Sequence, residues 1–198
     1  MSRPPRNLAA SIHRRLLNDA RERGEDRNFI LQRYAAERFL YRLGVSAHRE
    51  QFVLKGAMLF SLWGGSAYRP TRDLDFTASG SDDIGTVMDR IRDVCSVTVP
   101  DDGILFDATT LRAEPIREEV EYGGVRVRFG ARLGNAQIRM QVDVGFGNAI
   151  EPPAIDADYP TLLDSARPRV RAYPHEAVVA EKLHAMVVLG ERNSRYKD

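Results

Sequence analysis

Two alternating runs dominate the hydrophobic pattern of this chain. Val125, Val127, Phe129, Ala131 and Leu133 alternate with Arg126, Arg128, Gly130 and Arg132. After Gly134-Asn135, Ile138, Met140, Val142, Val144 and Phe146 alternate with Arg139, Gln141, Asp143 and Gly145. Successive side chains of an extended segment point to opposite faces, so each run has one apolar and one polar side. Two such runs across a Gly-Asn turn predict a β-hairpin buried on one face and wetted on the other, with Asp143 on the wet face beside Arg139 and Gln141.

Helical spacing governs much of the remainder. Asn7 is placed to cap a helix carrying Leu8, Ile12 and Leu16 on one side. Gly24 separates it from a second helix, capped by Asn28 and ending near Gly44, that offers Ile30, Leu31, Tyr34, Ala35, Leu40 and Leu43 for burial. Phe52 to Lys55 reads as a short strand or helix end, followed by a helix from about Gly56 to Trp63 and a Gly64-Gly65 break. Ser81-Asp82-Asp83 starts a further helix whose Ile84, Val87, Met88, Ile91, Val94 and Cys95 form one stripe. Pro100 to Gly103 is a turn, and the period becomes two from about Leu105. Residues 147–168 read as a Pro- and Asp-rich connection, and Arg169 to Tyr173 as a short strand. Pro174, His175 and Glu176 open a last helix, apolar apart from Glu181, Lys182 and His184 and ended by Gly190. Helices mixed with hairpin strands predict an α+β fold around a small mixed or antiparallel sheet. The expected division is an N-terminal helical segment over 1–50 and a main domain over 51–198.

Composition adds a few limits. The 198 residues carry a net charge of +1, so no global field selects nucleic acid or a membrane surface. Residues 1–50 nevertheless hold 11 Arg against 6 acidic residues, a tilt that suits an anionic partner and equally a solvated basic face. The single cysteine, Cys95, rules out an intrachain disulfide and fits a reducing compartment. No apolar run approaches the ~20 residues that span a bilayer, and the N-terminus lacks a secretory apolar core, so a cytoplasmic protein without membrane contact is expected. Only Lys55, Lys182 and Lys197 among the 29 basic residues are lysines, which singles them out as places where a compact ammonium is wanted.

The segment 52–76 carries the candidate chemistry. Asp73 and Asp75 share one face of an extended stretch, and paired carboxylates of this kind are oxygen ligands for a hard divalent ion. Alone, they fit a solvated strand edge as well. If the strand bearing Asp143 is a neighbour, three carboxylates converge on a metal site able to hold a triphosphate, activate a hydroxyl and neutralise a leaving pyrophosphate. Gly56 would let backbone amides approach phosphate oxygens, and Lys55, Lys182, Arg69 or Arg72 would neutralise phosphate charge. His175 and His184 have no zinc-like spacing. Trp63 and Tyr68 read as packing residues, with stacking on a base the alternative for Tyr68.

The blocks LKGAMLF…RPTRDLDF, QVDVGFG, YPHEAVVAEKLHAMV and NSRYKD, in that order, resemble the AbiEii/AbiGii-type nucleotidyltransferase toxins of bacterial toxin–antitoxin and phage-abortive-infection systems, over residues 30–198. The resemblance implies Asp73 and Asp75 as paired metal ligands, with Asp143 the third carboxylate and base for the acceptor hydroxyl. It further implies a triphosphate contact for Lys182, an active-site acid at Asp198, and Thr71 in the Ser/Thr position two before the first aspartate. With these come Mg²⁺, a nucleoside triphosphate substrate, a tRNA or other RNA end or a protein hydroxyl as acceptor, and a separately encoded antitoxin. Gly56-Ala57 stands where the family commonly has Gly-Gly or Gly-Ser. The family's last motif also continues past Lys-Asp into a C-terminal helical region, so the resemblance is to a truncated member.

Two alternatives stand beside this reading. A non-catalytic remnant would bind antitoxin or RNA through the Arg-rich N-terminal helices. Asp73-Leu74-Asp75-Phe76-Thr77 also matches the DxDxT loop of haloacid-dehalogenase-type phosphatases, but that loop needs a buried apolar parallel strand before its first Asp. Tyr68-Arg69-Pro70-Thr71-Arg72 is polar and broken by proline, which disfavours it.

Overall fold

The computed structural model describes residues 7–64, 71–116, 123–147 and 150–189. Helix α1 (Leu8–Arg23) starts where the Asn7 side chain accepts from the Ala10 amide and stops at Gly24, which adopts φ 68°. Helix α2 (Arg27–Val45) is capped by Asp26, whose carboxylate accepts from the amides of Asn28 and Phe29, so the cap lies two residues before the expected Asn28. The helix ends at Val45, close to the expected stop at Gly44. A Cβ there would come within 2.5 Å of the Arg169 carbonyl oxygen, so this glycine lets α2 cross a strand closely.

Strand β1 (Phe52–Lys55) leads through a 3-10 turn, Gly56–Met58, into the short helix α3 (Leu59–Leu62). Then come β2 (Asp73–Ala78), α4 (Ile84–Ser96), β3 (Ile104–Ile116), β4 (Gly124–Leu133), β5 (Ala136–Phe146), β6 (Ile155–Asp158), β7 (Arg169–Ala172) and α5 (His175–Leu189). The strands form a single seven-stranded mixed sheet in the order β3-β4-β5-β2-β1-β7-β6, with β2 parallel to β5 and β1 parallel to β7. The fold is α+β, as the pattern predicts, with a sheet wider than expected. The additional strand is β6, hidden within the Pro- and Asp-rich connection because its four residues are mostly exposed at the sheet edge.

The β4–β5 hairpin closes through Gly134 and Asn135, with Leu133 paired to Ala136 and Gly134 at φ 59°. Its apolar face joins Leu54, Leu74, Phe76 and the buried faces of α1, α2 and α4 in one core. Full burial of a Leu, Val or Phe side chain contributes about 1.5–3 kcal/mol, so this face, with Leu74, Phe76, Val142 and Val144 all at 0% exposure, fixes strand register. Arg42 ties α2 to the sheet: its guanidinium donates to both carboxylate oxygens of Asp102 (2.7 and 3.1 Å) and to the Ile104 carbonyl, and lies 4.9 Å from the Phe106 ring centre.

One core group is poorly served. Glu37 has no exposed surface; the Leu162 amide donates to its Oε2 at 3.0 Å, while Oε1 has no hydrogen-bond partner. Burial raises its carboxyl from 4.5 to about 7, against smaller opposing effects from the Leu162 hydrogen bond and nearby arginines. The unfolded chain releases this proton near 4.5 and the folded one near 7, so folding stability falls as pH rises through that window. Glu37→Gln is expected to gain stability over the native protein between pH 5 and pH 8 by roughly 2–3 kcal/mol, read by urea denaturation at both pH values. An equal difference at the two would contradict it.

Candidate active site

Cross-strand register assembles the site. Asp75 pairs with Lys55 of β1 on one side and with Asp143 of β5 on the other. Asp143 pairs in turn with Arg126 of β4, and Arg126 with Glu114 of β3. Paired residues share a sheet face at about 5 Å between Cβ atoms, so Lys55, Asp75, Asp143, Arg126 and Glu114 form a charged row across five strands. The adjacent row on this face holds Asp73, Gln141, Arg128 and Arg112. The three sequence-predicted carboxylates therefore lie on one face and on neighbouring strands.

Asp143 is the most constrained of them. Arg126 donates to it through Nε (2.8 Å to Oδ1) and Nη2 (2.6 Å to Oδ2), and Gln141 Nε2 approaches Oδ2 at 3.4 Å. The bond to Asp143 raises the guanidinium's already high affinity for its proton. Asp73 responds to the crowding: partial burial, then the Asp143 charge, raises its carboxyl, while Arg126, Arg128 and Arg72 act against the rise. Like charges at 4–6 Å compete for protons in this way, and counter-charges relieve it. Arg126 and Arg128 were visible in the sequence only as polar positions of an alternating strand; pairing gives them their role.

Two glycines shape the space around Asp75 and Lys55. Gly56 adopts φ 71°, and a Cβ on it would lie 2.3 Å from Asp75 Oδ2. Here its missing side chain makes room for the carboxylate, a role the phosphate-approach expectation did not include. A Cβ on Gly145 would lie 3.3 Å from Lys55 Nζ, so the ammonium passes over bare backbone. Thr71 donates its hydroxyl to the Asp73 carbonyl at a long 3.4 Å, and Arg72 is exposed. Lys182 on α5 rests its ammonium 5.2 Å from the Phe60 ring centre, above α3, the helix that follows Gly56. Helix α5 is also tied to β2: Thr77 and Tyr173 hydroxyls are 2.9 Å apart, and Tyr173 donates to Glu181 at 2.9 Å. Arg69, Tyr68 and Asp198 lie outside the described residues.

The donor set suits a hard divalent cation, since three carboxylates present oxygen ligands on one face. They are not gathered around a common point: among the described residues no group of three or more His, Cys, Asp or Glu is arranged to hold an ion. On the Asp143 side the reason is plain, because both carboxylate oxygens are engaged by Arg126. An open groove of about 540 Å³ continues along the same face past Val53 and Thr77 to Ser79, Gly147 and Arg171.

A family model for the nucleotidyl transferase AbiEii toxin of type IV toxin–antitoxin systems matches residues 38–198. The chain belongs to that family. No curated protein sequence matches it. Among solved structures, the chain is similar to JHP933 from Helicobacter pylori, with a TM-score of 0.48 and 14% identity over 81% of this chain and 58% of that one. It is also similar to a candidate nucleotidyltransferase from H. pylori, with a TM-score of 0.45 and 15% identity over 78% and 57%. The chain thus spans less than two thirds of either neighbour. No helix among the described residues is long and apolar enough to cross a membrane.

The Gly56 geometry yields a direct test. Gly56→Ala is expected to destabilise the protein by roughly 1–3 kcal/mol, because a left-handed backbone is combined with a collision against Asp75. Asp75→Ala in the same background should recover part of that loss, a coupling that a double-mutant cycle in denaturant measures. Purely additive effects would contradict the proposed contact.

Proposed function

We propose that this chain is a nucleotidyltransferase toxin that transfers a nucleoside monophosphate from a triphosphate to a hydroxyl acceptor. The observation that carries the reading is the register setting Asp75 directly across from Asp143, with Asp73 in the next row. In the proposed reaction the acceptor oxygen bonds to the α-phosphorus, the bond from that phosphorus to the β-bridging oxygen breaks, and pyrophosphate leaves. The hydroxyl proton passes to Asp143. Asp73, Asp75 and Asp143 would hold Mg²⁺, which supplies charge neutralisation at the transferring phosphate and lowers the hydroxyl's proton affinity when bound.

Other residues serve the triphosphate. Lys55, beside Asp75 in the charged row, offers an ammonium to phosphate oxygens with little steric cost over Gly145. Lys182 supplies a second from α5, Gly56, Thr71 and Arg72 border the approach, and Arg69 is proposed as a further phosphate contact. Asp198 completes the set as the further acid. The Lys182 ammonium lies over the Phe60 ring of α3, which supports a positioned rather than a freely solvated side chain.

The acceptor is proposed to be an RNA end, with tRNA the natural candidate. The wet face of β3–β4–β5 exposes Arg112, Arg128, Arg132 and Arg139 along the strands that lead away from the carboxylates. Among the described residues, Glu114 and Asp107 are the acids besides Asp73, Asp75 and Asp143 that oppose them in the paired rows. A polyanionic backbone suits such a face better than a neutral protein hydroxyl does. We place the protein in the cytoplasm, held by a separately encoded antitoxin and acting in toxin–antitoxin control or abortive infection.

The defining assay combines the chain, Mg²⁺, labelled nucleoside triphosphates and total tRNA. Label transfer with pyrophosphate release is expected, with at least a hundredfold loss (~3 kcal/mol in the barrier) in Asp75→Asn and on chelation. Asp73→Asn should relieve growth inhibition in cells. Label transfer that persists in Asp75→Asn sinks the site assignment, and phosphorylated aspartate without pyrophosphate points to phosphatase chemistry. Replacing Arg128, Arg132 and Arg139 together by Gln should raise the KM for tRNA and lower the log–log salt slope of binding by about two, leaving the KM for nucleotide unchanged. A tRNA affinity that does not move removes this face of β3–β4–β5 from the acceptor site.

A further inference from the structure

Arg126 stands between two acidic residues of its own row, Asp143 on β5 and Glu114 on β3. Its guanidinium sits wholly on Asp143, using Nε and Nη2 in a fork. Glu114 is meanwhile engaged by Arg128, one row away, at 2.7 Å. The Arg126–Asp143 pair is accessible, with side-chain exposures of 31% and 16%, so the guanidinium has room to move across the face. An incoming cation that needs an oxygen of Asp143 meets a carboxylate already neutralised.

We infer that Arg126 is a displaceable counter-cation: it holds Asp143 in the metal-free protein and hands the carboxylate to a divalent ion by moving toward Glu114. The inference rests on the metal role proposed above for Asp143. It gives the charged row a second use. In the metal-free protein, Arg126 offsets the repulsion between Asp143 and Asp73. On loading, the same charge shifts one strand outward and stays on the face that receives anionic phosphate. The fork matters, because a guanidinium engages both carboxylate oxygens at once and an ammonium cannot do so in the same plane.

The test is Mn²⁺ binding followed by electron paramagnetic resonance without nucleotide, alongside melting in chelator and in Mn²⁺. Arg126→Met is expected to bind Mn²⁺ about tenfold tighter than the native protein. It should melt at a lower temperature in chelator, with the gap closing as Mn²⁺ is added. Arg128→Met removes an equal charge that does not touch Asp143, and should gain clearly less. Unchanged or weaker Mn²⁺ binding by folded Arg126→Met overturns the inference, as does an equal gain in Arg128→Met. Should Arg126→Met fail to fold, Glu114→Gln, at an exposed position, decides: loss of the receiving carboxylate should weaken Mn²⁺ binding about threefold, and unchanged binding overturns the handover. If neither native nor variant protein binds Mn²⁺ and no nucleotidyl transfer occurs, the metal role itself falls. Native binding with no gain in Arg126→Met removes the handover alone.

Discussion

The parallel pairing of β2 with β5 is the constraint on which the site depends. It joins two segments far apart in sequence and sets Asp75 against Asp143 and Asp73 against Gln141. Charge does not impose this register, since carboxylates on adjacent strands repel. The opposite face imposes it. Leu74 and Phe76 meet Val142 and Val144 there, all without solvent exposure, and Phe52 stands edge-on to Phe76 with ring centres 5.7 Å apart. A slip of one residue would turn these side chains to water and bring the charged ones into the core. Apolar burial thus holds the acids together against their own repulsion.

Much of this was legible in the sequence because strand alternation and helix capping are local. The β4–β5 hairpin, α4 with its Asp83 cap, and the shared face of Asp73 and Asp75 follow from neighbours along the chain. What the sequence hid is non-local. Asn28 and Asp26 are both good caps, and the bond to the Asn28 and Phe29 amides selects Asp26. Gly44 marks the helix end in the sequence, but its close approach to Arg169 emerges only once β7 is placed against α2. Strand β6 is only four residues long and mostly exposed at the sheet edge, too short a stretch for its alternation to stand out. Arg126 belongs to an unremarkable run of arginines until β4 is laid beside β5. Proximity of Asp143 to the Asp73–Asp75 strand could be posed as a condition from sequence; the pairing meets it.

Two arginine–aspartate forks in the molecule show why residue types alone do not separate structural from functional acids. Arg42 and Asp102 are 7% and 10% exposed, and the guanidinium also bonds a carbonyl and lies over Phe106. Moving either partner would strand a buried charge, which makes that fork a fixed bolt between α2 and the start of β3. Arg126 and Asp143 also form a two-point fork, through Nε and Nη2 where Arg42 uses its two Nη groups, but on an open face, at 31% and 16% exposure, with a second acid alongside. Separating them exposes each to water and to another partner, so the cost of opening is far lower.

The same contrast explains the glycines beside the site. A charged row in which a counter-cation is to move needs space that no side chain fills, while its neighbours keep their positions. Gly56, at φ 71°, removes the Cβ that would press on Asp75, and Gly145 leaves the backbone under the Lys55 ammonium bare. On the far side of β2 no such freedom exists, because Leu74 and Phe76 are packed without exposure. The strand is therefore rigid through one face and open through the other. That division lets a sheet hold three acids at fixed backbone positions while the counter-charges around them remain able to rearrange.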